Sequence, residues 1–173
     1  MSNVSHDERA RSRAQLQPVN VGRLMHAVAV LHLERGRPFE VRVLRETVDA
    51  LILPKTSRTH TQSLRQRVIT ALMVYRHELV PPGWHFVSGE QVVSDVKLDL
   101  LWATGEGGLV ADELKSGSWP LADFDAASRQ CASQCVAGRE VFGNAFQMVR
   151  LVLPAPRIVG EVMPGSGGEI RWR

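Results

Sequence analysis

Cysteine is scarce in this 173-residue chain, which has only Cys131 and Cys135. A disulfide scaffold is thereby excluded. So is a structural zinc site, which needs four Cys/His ligands in paired clusters, because the six histidines (His6, His26, His32, His60, His77, His85) are scattered. Two cysteines one helical turn apart read as small core residues, and the expected compartment is a reducing cytoplasm. No apolar run approaches the roughly 18 residues of a membrane span, so no membrane is expected as a partner. The first residues, Met1 to Arg13, mix acids and arginines with no apolar stretch, and no secretory leader is expected there. What is present is ordinary globular composition, 44% hydrophobic and 23% charged, enough for one core.

Charge is divided unevenly along the chain. Residues 1–80 carry 13 Lys/Arg against 7 Asp/Glu, whereas residues 81–173 carry 8 against 11, within a net charge of +3. An arginine-rich front half suits contact with a polyanion, whose phosphates attract such a surface at long range. Arginines that merely solvate helix faces produce the same pattern.

Residues 1–19 are polar and aperiodic and read as a flexible arm. From Asn20, Val21, Leu24, Val28 and Leu31 recur at helical spacing up to Arg35-Gly36. Val41 to Leu53 predicts a second helix closed by Pro54, which completes a helical extension over 20–59. The stripe Leu64, Val68, Leu72, Tyr75, Leu79 predicts a third helix, stopped by Pro81-Pro82-Gly83. The apolar period then becomes two. Trp84–Val93, Val96–Ala103 and Leu109–Leu114 read as strands, Ser118–Phe142 as a helix, and Phe146–Leu153 as a fourth strand. Residues 154–173 form a tail or a hairpin around Pro164 to Gly168. This order predicts an α/β fold, with an αβββαβ core over 60–153 and a mixed central sheet.

Three residues on two neighbouring strands carry potential chemistry. Glu113 and Lys115 are two apart on a strand and leave the same face. A carboxylate beside a lysine at the end of an apolar strand is costly to bury without work to do. With Asp99 it can hold Mg²⁺, which prefers oxygen ligands. Lys115 can then orient an attacking water or neutralise charge on a transferring phosphoryl group. The plain alternative is an exposed ion pair at a strand end. Asp112 alternates to the opposite face and is expected to be solvated or paired.

An acidic residue on one strand, a turn, then Glu113-Leu114-Lys115-Ser116-Gly117 and a helix bearing Gln130 resembles the PD-(D/E)XK nuclease superfamily, the restriction-endonuclease-like fold. The resemblance covers about residues 60–153 and is nearest in pattern to the RecB- and Cas4-type nucleases. It implies a Mg²⁺- or Mn²⁺-dependent phosphodiesterase acting on DNA in the cytoplasm, in repair, a mobile element or phage defence. Asp99, Glu113, Lys115 and Gln130 would be its catalytic residues, and Asp99 and Glu113 its metal ligands. In that family a glutamate of the preceding helix often joins the metal. Glu78 occupies that place, at the edge of the apolar stripe beside Tyr75 and Leu79. The chain departs from the family at Leu98, where a proline would stand, and at Gln134, where the tyrosine of Gln-x-x-x-Tyr would stand. Asp95-Val96-Lys97 is a second D-x-K triplet, but apolar residues follow it rather than Ser-Gly, and it reads as a decoy.

Arg58, Arg65 and Arg67 are expected to contact phosphates, and Trp119 either to stack on a base or to pack in the core. Two other functions compete. Residues 41–79 can be drawn as a helix-turn-helix DNA-binding regulator, with Thr59-His60-Thr61-Gln62-Ser63-Leu64-Arg65-Gln66-Arg67 opening a recognition helix, although the link exceeds the usual turn of about 3–4 residues. The nuclease fold can also serve as an idle subunit of a larger complex, with a protein partner supplying the targeting; a homodimer is a further expectation. One geometric demand is sharp. Asp99 can lie across from Glu113 only if the Gly105–Gly108 connection is an odd-length loop or carries a bulge, with Gly107 or Gly108 at positive φ.

Overall fold

The computed structural model describes residues 21–52, 58–116 and 124–173. Three helices come first: α1 (Val21–Glu34), α2 (Val41–Leu51) and α3 (Arg58–Val74). The strands β1 (His85–Val93), β2 (Val96–Ala103) and β3 (Leu109–Leu114) follow, then α4 (Phe124–Phe142). A single 3-10 turn leads into β4 (Phe146–Leu153), β5 (Ile158–Val162) and β6 (Arg171–Trp172). The six strands form one sheet in sequence order. Only β3 and β4 are parallel, since α4 is the crossover between them, and every other neighbouring pair is antiparallel. This is the mixed α/β fold that the order of periodicities predicts. The tail is a hairpin, β5 with β6. No described helix is long and apolar enough to cross a membrane.

Side-chain alternation divides the core between the two faces of the sheet. On one face α1, α2 and α3 contribute Leu24, Met25, Val28, Leu44, Leu64, Val68, Leu72 and Tyr75, packed with Leu100 and Trp102 of β2. The helices at 21–51 therefore share one core with the sheet. On the other face α4 sets Ala127, Cys131 and Cys135 against Leu101, Ala111, Phe146, Val149 and Leu151. Both cysteines are free and buried. A Cβ on Gly138 would come within 2.5 Å of the Phe146 ring, so this glycine lets α4 lie flush on β4.

Two local features set the site. Between β2 and β3, Ala103 pairs with Leu109, and Thr104 N–H donates to the Gly108 carbonyl at 2.8 Å. The loop proper is Gly105-Glu106-Gly107, with Gly107 at φ 81°. That odd length matches the demand derived above. The pairs Leu101↔Ala111 and Leu100↔Asp112 run on, and the next step brings Asp99 across from Glu113. The second feature is the end of α3, where Tyr75–Leu79 winds into a π-turn and Val80 N–H donates to the Tyr75 carbonyl.

Candidate active site

Asp99, Glu113, Lys115 and Gln130 meet where the end of β3 lies beside the middle of β2, beneath α4. Asp99 Oδ2 accepts from the Leu114 backbone N–H at 3.2 Å, which binds the β2 carboxylate to the strand that carries Glu113. Glu113 is buried, with 2% of its surface exposed. Lys115 Nζ donates to Glu113 Oε1 at 2.5 Å and to Gln130 Oε1 at 3.0 Å. Burial, and after it the Glu113 charge, push the Asp99 carboxyl up to about 6 from the ordinary 3.8. The Cys131 thiol, in the wall formed by α4, is pushed up to about 12 by burial and then by Glu113, so it stays protonated and inert.

Two neighbours were not legible as site residues. His26 of α1 places Nε2 3.4 Å from Asp99 Oδ1 and Nδ1 3.1 Å from Glu90 Oε1. Its Nε2 is buried and makes no hydrogen bond. Glu90 lies between Gly89↔Leu100 and Gln91↔Leu98, hence across from Asp99, and takes φ 51° within β1. A non-glycine residue held in the left-handed region inside a strand is strained, and here the strain lies beside the carboxylate pair. Gln134 is the other. It donates through Nε2 to Glu113 Oε2 at 2.7 Å and to the Lys97 carbonyl at 2.9 Å. Nothing in the chain marked His26, because only tertiary packing brings α1 to Asp99 in β2. Gln134 was visible only as an oddity in the Gln-x-x-x-Tyr pattern.

Glu78 does not join this group. The π-turn breaks the 100° step on which its helical projection relied. Glu78 instead ion-pairs with Arg157 at 3.1 Å, with 43% of its side chain exposed. It also belongs to the wrong face. Tyr75 bonds Asp112, and Arg150 bonds both Asp112 and the Leu79 carbonyl, so the end of α3 covers the face opposite Glu113. Among the described residues no cluster of three or more His, Cys, Asp or Glu side chains has the geometry to enclose a metal ion.

Of the expected phosphate contacts, Arg67 is exposed on α3, whereas Arg65 donates to Asp49 Oδ1 at 2.6 Å and is not a free cation. The Arg58 side chain and Trp119 lie outside the described residues, as does the start expected for the fourth helix at Ser118. Asp95 sits in the β1–β2 turn, where Ser94 and Asp95 have φ of 45° and 65°, and is exposed as a rim residue would be. Asp112 is not solvated at all. It is fully buried in a two-point bond with Arg150, at 2.6 Å for each, while Tyr75 Oη donates to its Oδ2 at 2.7 Å.

No family model matches the chain, and no curated protein does. Among solved structures the chain is similar to the "Structure of EndoMS-dsDNA2 complex", at 27% identity and a TM-score of 0.36 over 47% of its own length. It spans 31% of that chain.

Proposed function

We propose that this chain is a metal-dependent nuclease acting on DNA, with Asp99 and Glu113 as metal ligands and Lys115 and Gln130 as catalytic residues. The observation that carries the reading is the Lys115 ammonium, held between the buried Glu113 carboxylate and Gln130 at the strand end where Asp99 also lies. The donor set suits a divalent cation of the Mg²⁺ or Mn²⁺ class, which binds one or two carboxylates and keeps its other positions for water and substrate oxygen.

Such an ion supplies Lewis acidity toward a phosphodiester oxygen and acidifies water. The chain's own residues do the rest. Lys115, fixed by Gln130, orients the attacking water and offsets the negative charge that builds on the phosphoryl oxygens. Asp99 resists ionisation, because its charge would be buried beside that of Glu113. It therefore has free energy to gain from a cation. Arg67 on the exposed row of α3 supplies phosphate attraction away from the reacting group.

The test is incubation of circular and linear duplex DNA with the chain in Mg²⁺, in Mn²⁺ and in EDTA, beside Lys115→Ala. Cutting by the wild type in metal alone, and none by the variant, is expected. No cutting under any metal, or equal cutting by Lys115→Ala, refutes the proposal.

A further inference from the structure

We propose that Gln134 is the positioning residue of this site, the group that sets the orientation of the Glu113 carboxylate and fastens it to β2. Its effect on metal binding rests on the nuclease reading; the Gln134–Glu113 link itself does not. Gln134 lies one helical turn beyond Gln130 on α4 and is 1% exposed. Its Nε2 has two protons, and both are used, one on Glu113 Oε2 and one on the Lys97 carbonyl. The opposite amide orientation would set an oxygen against two acceptors, so the network fixes the one described. Lys115 meanwhile holds the other oxygen of Glu113. The two oxygens of one buried carboxylate are thus gripped from α4 and from the residue just past β3, and Glu113 cannot turn about its last torsion without losing a charge-assisted bond.

Packing does not account for a glutamine here. The Oε1 of Gln134 is buried and has no hydrogen-bond partner, which costs stability that a methionine of the same shape would not. What the amide does make are its two bonds to the Glu113 carboxylate and the Lys97 carbonyl, and neither is a packing contact. Groups that hold a metal ligand in place in this way are usually worth about 10- to 100-fold in metal affinity.

The test measures Mn²⁺ affinity calorimetrically for the full chain, for Gln134→Met and for Gln134→Glu, together with unfolding of the metal-free proteins. Gln134→Met should bind Mn²⁺ about tenfold more weakly, with the Mn²⁺ concentration for half-maximal cleavage rising in parallel. Affinity within twofold of wild type in folded Gln134→Met overturns the proposal. Should that variant fail to fold, Gln134→Glu carries the test. Its carboxyl can donate to Glu113 only when protonated, so its affinity relative to wild type should recover as pH falls, and a constant ratio overturns the proposal. In the absence of metal, Gln134→Met and Glu113→Met should be non-additive by at least about fivefold in the unfolding equilibrium constant. Additivity overturns the positioning role. Non-additivity in a chain that binds no Mn²⁺ upholds the link and refutes the nuclease reading instead.

Discussion

Asp112 and Glu113, neighbours on β3, are both buried, at 0% and 2% exposure, and face opposite sides of the sheet. Asp112 is neutralised by Arg150, its register partner on β4, and accepts a bond from the Tyr75 hydroxyl of the π-turn after α3. Glu113 is held by Lys115 and by Gln134 of α4. The same strand step thus carries a closed ion pair on one face and an open carboxylate site on the other. The closed pair has a rigid bidentate cation and no room for a further ligand; the open one has a flexible, 28% exposed lysine and a second carboxylate nearby.

The closed pair should dominate stability. Arg150→Ala strands a fully buried carboxylate and should destabilise the fold by about 3–5 kcal/mol in urea unfolding. Replacing both partners, Asp112→Leu with Arg150→Met, should recover most of that loss, because it leaves no uncompensated charge. Tyr75→Phe removes one bond to the carboxylate, and its cost should be about 1–2 kcal/mol. A double variant as unstable as Arg150→Ala would show that packing, and not the unpaired charge, is what matters.

Asp99 should make the metal-free protein less stable as pH rises. Its folded pKa of about 6 lies above the unfolded 3.8. The folded state therefore binds the proton more tightly, and that contribution is complete below about 3.8 and is lost as pH climbs through 6. Asp99→Asn should raise the unfolding free energy at pH 8 by an amount on the order of 1–3 kcal/mol, and with it the unfolding temperature, and by much less at pH 5. Millimolar Mg²⁺ should narrow the gap at pH 8 by stabilising the wild type alone. An identical gain at both pH values would show that Asp99 does not titrate in this range.

Glu113→Gln and Lys115→Ala should each abolish detectable cleavage. Both should leave the circular dichroism spectrum unchanged, but their stabilities should differ. Lys115→Ala leaves the buried Glu113 with Gln134 as its remaining side-chain donor and should cost about 1–3 kcal/mol. Glu113→Gln keeps the shape without the charge and should cost less. On the proposed reading, DNA affinity should survive in Lys115→Ala, because that reading assigns it to the arginine-rich front half. Undiminished cleavage by Glu113→Gln would remove Glu113 as a metal ligand.

Arginines on α3 separate a nuclease from a regulator. Arg67→Ala should weaken binding to every duplex about equally and lower the salt slope by about 1. Arg65→Ala should have a smaller effect, since its guanidinium already has Asp49 as a partner. A recognition helix would behave otherwise: each lost base contact would cost about 1–3 kcal/mol at one position only. Selection of a single strong palindromic site from random duplexes, without metal-dependent cutting, would establish the regulator.

The sequence by itself determined the elements, because the switch from a helical to an alternating apolar period is a local property of neighbouring residues. For β2 against β3 it set a condition rather than a register. Asp99 and Glu113 can share a position only across an odd-length loop or a bulge, and the observed ladder, with Gly107 at positive φ, meets that condition. Tertiary structure alone decided the rest. The π-turn at Tyr75–Leu79 rotates Glu78 off the face that helical counting gave it, and nothing in five residues announces an extra residue per turn. His26 and Gln134 reach the carboxylates from α1 and α4 because two separate cores press those helices onto the sheet. Asp112 and Glu113 carry the same charge and are adjacent in the chain. Which of them became a structural anchor and which an open site depended on the partner each met: a rigid arginine across the ladder for one, a flexible lysine at the strand end for the other.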